Sequence, residues 1–373
     1  MLVKAKADEG EALFSLMNEA GDLRPGAAAP AVSDADALKL YRTMLQVRLC
    51  DERFLKLQRQ GRLGFYMTST GEEATHLATH ALRPTDWIYP SYREPGAFFY
   101  RGYTIADFAH QLYGNSKDPI KGRQMPVHHS YRKGNIVSIS SPVGTQIPQA
   151  AGTAMAAKLS KTDDVALVYF GEGTASTGDF HVGLNFAGVY KAPCIFFCRN
   201  NGWAISTAGS KQTAARTIAQ RAVAYGMPGA RVDGNDLYAI LAVMEDAVAR
   251  ARAGEGPTLI EAVTYRRGAH SSSDDPSVYR DPDEPKRWES TDPLERWRRH
   301  IEKRNLWTDA LEQQARNEIN EEIATAIADA EKLGPPPVET MFEDVFAEKP
   351  PHLVEQEREM LAQPRATSGH GGH

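Results

Sequence analysis

The chain predicts an α/β fold: a parallel sheet flanked by helices on both faces. Two patterns carry the prediction. Short apolar runs begin at Val165 ("VALVYFG"), Cys194 ("CIFFC") and Thr258 ("TLIEAVTY"), and stretches with three-to-four apolar spacing separate them. Strand, helix and strand at such spacing imply crossover connections, and crossovers leave neighbouring strands parallel. Size agrees, since 373 residues suit one large α/β domain or two modest ones.

Taken in order, residues 1–33 form an N-terminal arm. Its "RPGAAAPAVSD" suits a linker or a segment ordered only by a neighbour. A helix starts at Asp34, where Leu38, Tyr41, Leu45, Leu49 and Leu55 recur on one face. Residues 62–150 are loop-rich in Gly, Pro, His, Arg and Ser, a composition that carries binding groups. A helix over "IPQAAGTAMAAKLS" leads to a strand at 165–170. A helix near 178–190 follows, with Asp179 as a candidate cap, and then a strand at 194–198. An amphipathic helix begins at Asp236 (Leu237, Ile240, Leu241, Met244, Val248), and the third strand spans 258–265. A charged helix at 308–333 reads as a solvated face and stops at Gly334 and three prolines. The main domain is therefore placed at 34–345. Residues 346–373 are a tail whose "ATSGHGGH" looks disordered.

A net charge of −5 gives no broad basic field, so no nucleic acid or membrane partner is expected. No run of about 18 apolar residues exists to span a bilayer. The N-terminus carries acids early and lacks an apolar signal core, and the expected location is cytoplasmic. Three cysteines are an odd and sparse set that suits a reducing interior. Cys194 and Cys198 share one strand face, but no further Cys or His follows nearby to complete a zinc site. Buried strand residues are the better reading.

Two strand ends attract chemistry. Gly171-Glu172-Gly173 closes one and Asn200-Asn201 the next, and ligands of parallel sheets sit beyond such ends. Flanking glycines let the backbone turn sharply and approach a ligand. Glu172 offers an anionic oxygen and Asn201 a neutral one, a pair suited to magnesium or calcium with phosphate completing the shell. Arg199 is placed to take a phosphate in bidentate fashion. On residue types alone this metal-bridged phosphate site stands level with a blander reading, a solvated Glu and two turn-forming Asn residues. A nicotinamide site fails because "GEGTAS" lacks G-x-G-x-x-G spacing, and a P-loop fails for want of G-K-[ST].

Glu172 to Asn201 spans 29 positions, and a Gly-acid-Gly opening with a closing Asn pair at that distance resembles the thiamine diphosphate motif. "GFYMTSTGEEATH" (64–76), "YREPG" (92–96), "GRQMPVH" (122–128), "SSPVGTQIPQA" (140–150), "CRNNGWAIST" (198–207), "RVDGND" (231–236) and "GAHSSSDDPSVYR" (268–280) extend the likeness. Together they resemble the alpha subunit of 2-oxo acid dehydrogenases, above all the branched-chain (2-oxoisovalerate) type, from about residue 40 to 345. The resemblance implies the thiamine diphosphate-binding fold. It gives magnesium to Glu172, Asn201 and the Trp203 carbonyl. It gives the cofactor's diphosphate to Tyr92, Arg93, Ser141, Arg199 and His270, with Val143, Gly171, Gly173 and Thr174 around them. Ser140, Pro142, Thr145 and Gln146 resemble a structural potassium site bracing the Ser141 loop. Trp203 stands where Tyr is usual, Thr174 replaces a common Ala, and Ser91 sits where Gln often precedes the Tyr-Arg pair.

The implied activity is decarboxylation of a 2-oxo acid substrate, followed by transfer of the acyl group to a lipoyl-bearing acyltransferase. The activating carboxylate belongs to a separate beta subunit in this family, so an alpha2-beta2 heterotetramer is expected and the chain alone should be inactive. Pyruvate or acetoin dehydrogenase is the alternative within the class. A non-catalytic phosphate-binding module, or a self-sufficient thiamine enzyme with its own activating Glu, would be a different class.

His270 follows the third strand. It reads as an orienting group on phosphate, which would keep the imidazole protonated, or as an acid near the reacting centre, or as an ordinary loop residue. Ser271 aligns with a position phosphorylated in animal relatives, where a phosphate would repel the diphosphate. His128 and His129 read equally as channel lining or polar loop residues. Arg266 and Arg267 are expected to pair with acids such as Asp274 and Asp275. Phe65 and Tyr66 border the substrate pocket or simply pack in the core.

Overall fold

A computed structural model describes residues 12–363. Seven strands run in chain order: β1 (Trp87–Tyr89), β2 (Ala166–Gly171), β3 (Cys194–Asn200), β4 (Trp203–Ala204), β5 (Thr207–Ala208), β6 (Gly229–Asp233) and β7 (Thr258–Val263). Five form a wholly parallel sheet in the order β1-β2-β3-β7-β6, and β4 pairs with β5 in a small antiparallel hairpin. The central strands read as unbroken apolar runs because both of their faces are covered. Leu167, Tyr169, Ile195 and Phe197 face one layer. Val168, Phe170, Cys194, Phe196 and Cys198 face the other. Both strand cysteines are buried and free, as is Cys50.

The helices are α1 (Asp34–Arg59), α2 (Glu73–His76), α3 (Pro95–Tyr100), α4 (Ile105–Tyr113), α5 (Gln146–Leu159), α6 (Gly178–Tyr190), α7 (Leu237–Arg252), α8 (Pro293–Lys303), α9 (Asp309–Glu331) and α10 (Pro351–Ala362). α5 and α6 cover one face of the sheet and α7 the other, while α8 and α9 lie against α1. Caps set several starts. Ser33 accepts from Asp36 N at 3.1 Å and Asp236 from Ala239 N at 3.1 Å. α6 is capped by Thr177, accepting from Phe180 N, rather than by Asp179, which already lies inside the first turn.

Several elements differ from the sequence reading. The stretch 62–150 holds β1, α2, α3 and α4; the first three are too short to show a period, whereas Ile105, Phe108, Ala109 and Leu112 of α4 do recur on one face. The charged helix α9 is no free face, because Ile319, Ile323 and Ile327 form a buried spine. The tail carries α10, none of whose residues is buried, and "ATSGHGGH" lies outside the described residues. The first eleven residues of the arm also lie outside them. The part described is ordered by its own domain rather than by a neighbour. Phe14 exchanges main-chain hydrogen bonds with Arg231 and Asp233 at 2.9 Å, beside β6. Asp236 accepts from Leu16 N and Met17 N at 2.6 Å. Arg296 of α8 donates to Asn18 O at 2.9 Å and to Met17 O, and pairs with Asp233 at 2.7 Å. Among the described residues no helix is long and apolar enough to cross a membrane.

Candidate active site

Strand register brings the two motifs together. Gly171 is level with Arg199 across the β2–β3 ladder, so Glu172 and Asn201 leave the same edge of the sheet. Asn200 turns away, donating to Glu261 at 2.7 Å and accepting from Gly202 N at 3.1 Å. Asn201 presents its main-chain N–H to Glu172, which opposes the rise that burial gives that carboxyl's pKa. A cleft of about 380 Å³ opens there. Tyr92, Arg93, Val143, Gly171, Glu172, Gly173, Thr174, Arg199, Asn201, Trp203 and His270 all line it. Gly173 is glycine for space, since a Cβ would sit 2.6 Å from Ala204 Cβ. Ser141 is not on this lining. It is exposed and hydrogen-bonded to His128 Nε2 at 2.8 Å, although Val143 of the same loop does reach the lining.

The acid that ends β2 is 4 % exposed, and its Oε1 has no hydrogen-bond partner. Burial raises the Glu172 pKa, against the pull of its own N–H and of Arg199. Arg199 is not a free phosphate arm as expected. It lies between two buried acids, 2.6 Å from Glu72 and paired with Glu94. Sequence reasoning singled out neither acid. Glu94 directly follows the candidate pair Tyr92-Arg93, which was the available signal; Glu72, within "GEEATH", had none beside it. Glu94 also accepts from Ser91 Oγ at 3.0 Å, which gives that unusual serine a place.

Three guanidiniums surround His270. Arg93 donates to Thr68 O and to His270 O at 2.8 Å, and approaches His270 Nδ1 at 3.3 Å. Arg266 approaches the same Nδ1 at 3.4 Å and donates to Trp203 O (3.3 Å), Ile205 O (2.9 Å) and Tyr279 Oη (2.9 Å). Burial first, then Arg93, Arg266 and Arg199, push the imidazole down to about 3, with Asp274 opposing. With these cations around it the ring is neutral. With two cations at Nδ1, that nitrogen accepts and the proton resides on Nε2. Arg266 reaches Asp274 only through Tyr279, whose hydroxyl donates to Asp274 at 2.6 Å. Arg267 pairs instead with Asp292 at 2.7 Å and Glu289 at 3.4 Å. Neither arginine makes the direct pair with Asp274 or Asp275 anticipated from sequence proximity.

His128 is tied to Pro126 O (3.1 Å) and Ser141, and burial lowers its pKa. His129 is buried, stacked on Phe108 at 4.5 Å and pushed down to about 3. It lines a small cavity that shares Tyr92 with the cleft and also includes Tyr66. Tyr66 donates to buried Asp51 at 2.9 Å, and Phe65 packs half-buried on the core. Of the potassium set, Thr145 Oγ1 donates to Pro142 O at 3.2 Å and Gln146 Nε2 to Tyr169 O at 3.1 Å, while Ser140 is half-buried. Ser271 is half-buried in a turn, its Oγ accepting from Ser273 N at 3.3 Å. No group of three or more His, Cys, Asp or Glu side chains suited to a metal occurs among the described residues.

An acid, an amide and several guanidiniums meet past two parallel strand ends of an α/β protein, where ligands of such sheets bind. The particular family follows from comparison. The chain belongs to the dehydrogenase E1 component family, whose model matches residues 41–339. It is 44 % identical over 361 residues to the mitochondrial 2-oxoisovalerate dehydrogenase subunit alpha of Caenorhabditis elegans, covering 95 % of this chain and 84 % of that protein. The bovine mitochondrial subunit is 43 % identical over 362 residues, covering 96 % and 79 %. The mitochondrial subunit alpha 1 of Arabidopsis thaliana is 42 % identical over 346 residues, covering 92 % and 73 %. The family resemblance and the fold class read from the motifs are both borne out.

Proposed function

We propose that this chain is the alpha half of a branched-chain 2-oxo acid dehydrogenase, a lipoamide-dependent oxidoreductase. With a beta subunit it releases carbon dioxide from acids such as 3-methyl-2-oxobutanoate. The remaining acyl unit is oxidised to a thioester as the disulfide of an acyltransferase's lipoyl group is reduced. Thiamine diphosphate supplies the electron sink for decarboxylation, and the protein binds and orients it.

The observation that carries the reading is the buried, unpartnered Oε1 of Glu172 on the cleft. A carboxylate oxygen excluded from water normally has a partner, and a magnesium ion is the fitting one. Gly171 adds independent support. Its φ of −85° suits any residue, and a Cβ there would meet nothing within 4 Å. The fold does not demand glycine at that position, but a ligand filling the cleft would. Glu172, Asn201 and the Trp203 carbonyl would hold the metal, and Arg93, Arg199, Tyr92 and His270 the diphosphate. Ser141 would join them only if its loop turned inward, and Ser140, Pro142, Thr145 and Gln146 would brace that loop around potassium. His270, with Nδ1 turned to Arg93 and Arg266, would donate to the phosphate from Nε2. A phosphate on Ser271 would set negative charge beside this site and oppose loading.

The alpha2-beta2 assembly and the acyltransferase partner belong to the same proposal. So does a reducing location such as the cytoplasm, supported by three buried free thiols, although the relatives are named as mitochondrial. The test is co-expression with a beta partner and measurement of carbon dioxide release from 3-methyl-2-oxobutanoate and pyruvate. Only the paired chains should react, with the branched acid preferred. Turnover by this chain alone would overturn the two-subunit reading, and preference for pyruvate would overturn the substrate.

A further inference from the structure

Two consecutive acids, Glu72 and Glu73, open α2 and diverge. Glu73 turns outward from the cleft to Arg48 at 2.5 Å and accepts from Gly71 N at 2.9 Å. Glu72 turns inward and is fully buried. Its backbone has little freedom. Asp51 accepts from Ser69 N at 2.7 Å, and Glu72 N donates to Ser69 O at 2.9 Å. Gly71 adopts φ +97°, where a Cβ would strike Tyr265 O at 2.7 Å. The turn is thus pressed against Tyr265, just past the end of β7, and the next side chain runs in behind the groups that line the cleft.

There one carboxylate meets both halves of the ligand-binding set. Glu72 Oε2 accepts from Asn201 Nδ2 at 3.0 Å and lies 2.6 Å from Arg199 Nε, while Oε1 is 3.9 Å from Arg93 Nε. An amide has one donor end and one acceptor end. A buried carboxylate accepts only, so it repels the amide oxygen and draws the NH2 group. Asn201 is therefore turned with Nδ2 toward Glu72, and its Oδ1 faces the other way, accepting from Trp203 N at 3.2 Å with a second lone pair to spare. That is the orientation in which the amide oxygen is available to a cation. Arg199 does not need Glu72 to neutralise its charge, since Glu94 already pairs with it. What Glu72 adds is direction.

We propose that Glu72 is a positioning residue: it fixes which end of the Asn201 amide faces the metal and sets the plane of the Arg199 guanidinium before any ligand binds. The inference rests on the magnesium and diphosphate reading given above. It predicts that Glu72 governs affinity for the metal-bound cofactor more than the rate once loaded, because Glu72 lies behind the ligand-bearing groups.

The experiment uses the full chain co-expressed with its beta partner and titrated with thiamine diphosphate by calorimetry across a magnesium series. Electron paramagnetic resonance with manganese in place of magnesium reads the metal directly. Glu72→Leu removes both acceptors and should weaken metal-dependent cofactor binding by about a hundredfold, and Glu72→Gln, which keeps one carbonyl, by about tenfold. In both, KM for the cofactor should rise while kcat at saturation stays within about threefold. Glu172→Ala serves as the reference. If Glu172→Ala abolishes metal-dependent binding while both Glu72 variants bind like the parent, the positioning role is overturned and the site reading stands. If Glu172→Ala itself changes nothing, the site reading falls. Should Glu72→Leu fail to fold by circular dichroism, the isosteric Gln variant decides, and unchanged affinity there overturns the proposal.

Discussion

Adding one methyl group at Gly173 and, separately, at Gly171 tests how the cleft is built. A Cβ on Gly173 would stand 2.6 Å from Ala204 Cβ and 3.3 Å from Gln212 Oε1. Carbon atoms rest at about 3.5–4.0 Å, so the β4–β5 hairpin would have to retreat by roughly 1 Å. Overpacking of that kind costs about 1–3 kcal/mol. The hairpin also carries Trp203, whose amide bonds to Asn201 Oδ1, so the retreat disturbs the metal side of the cleft as well. Gly173→Ala should therefore lower Tm and weaken magnesium-dependent thiamine diphosphate binding by roughly tenfold or more. Gly171→Ala is the counterpart. With an ordinary φ and an empty Cβ position, it should leave Tm unchanged or raise stability by about 0.4–1 kcal/mol, while still weakening the cofactor. Scanning calorimetry and cofactor titration on the two variants decide the matter. A Gly173→Ala protein with parental Tm and affinity would refute the packing argument, and a lowered Tm in Gly171→Ala would show that the position is not open.

Three further outcomes can be checked. Arg296→Ala removes a buried cation from Asp233 and from Met17 O and Asn18 O; urea unfolding should show a loss of about 3–5 kcal/mol, and a loss under about 1 would contradict the network's weight. His270 is held near 3 in the folded chain against 6.5 for the free imidazole, so between those values the unfolded chain binds more protons. Its stabilising contribution is complete above about pH 6.5 and declines as pH falls toward 3; His270→Gln should flatten that part of the stability–pH curve, and identical curves would place the titration elsewhere. Cys50, Cys194 and Cys198 are buried and their thiol pKa values raised, burial being the first cause, so a thiol reagent should label none in the native protein and three after denaturation. Rapid native labelling would mean that the strand layer opens.

The elements that sequence reading found were those with a long, uniform signal. The apolar runs of β2, β3 and β7 and the periodicity of α1 and α7 reflect burial by covering layers, and burial leaves its mark on every residue of the run. β1 and β6 are short edge strands and leave almost none. At the site, Glu172 and Asn201 were legible because a strand end bounded by glycines is a local event. Glu72, Glu94 and Arg266 were not. Their importance lies in what they face across the fold, as when Glu72 meets Asn201 129 positions away. The same distance explains the mistaken pairing of Arg266 and Arg267, where sequence nearness suggested Asp274 and Asp275 but Asp292 and Tyr279 occupy the space. Thr177 displaced Asp179 as a cap because the short turn over Glu172–Ser176 ends one residue before α6 begins at Gly178, leaving Thr177 at the junction.

The seat of the N-terminal segment has a consequence for synthesis. Met17 is gripped by Arg296, 279 residues further along. At roughly 5–20 residues per second, a ribosome takes on the order of a quarter of a minute to a minute to make the intervening chain. Throughout that interval Met17 and Leu16, both buried in the finished protein, lack the arginine that closes over them. Residues made long before α8 are thus among the last to be locked, and a nascent chain halted before α8 would keep this apolar stretch open to chaperones.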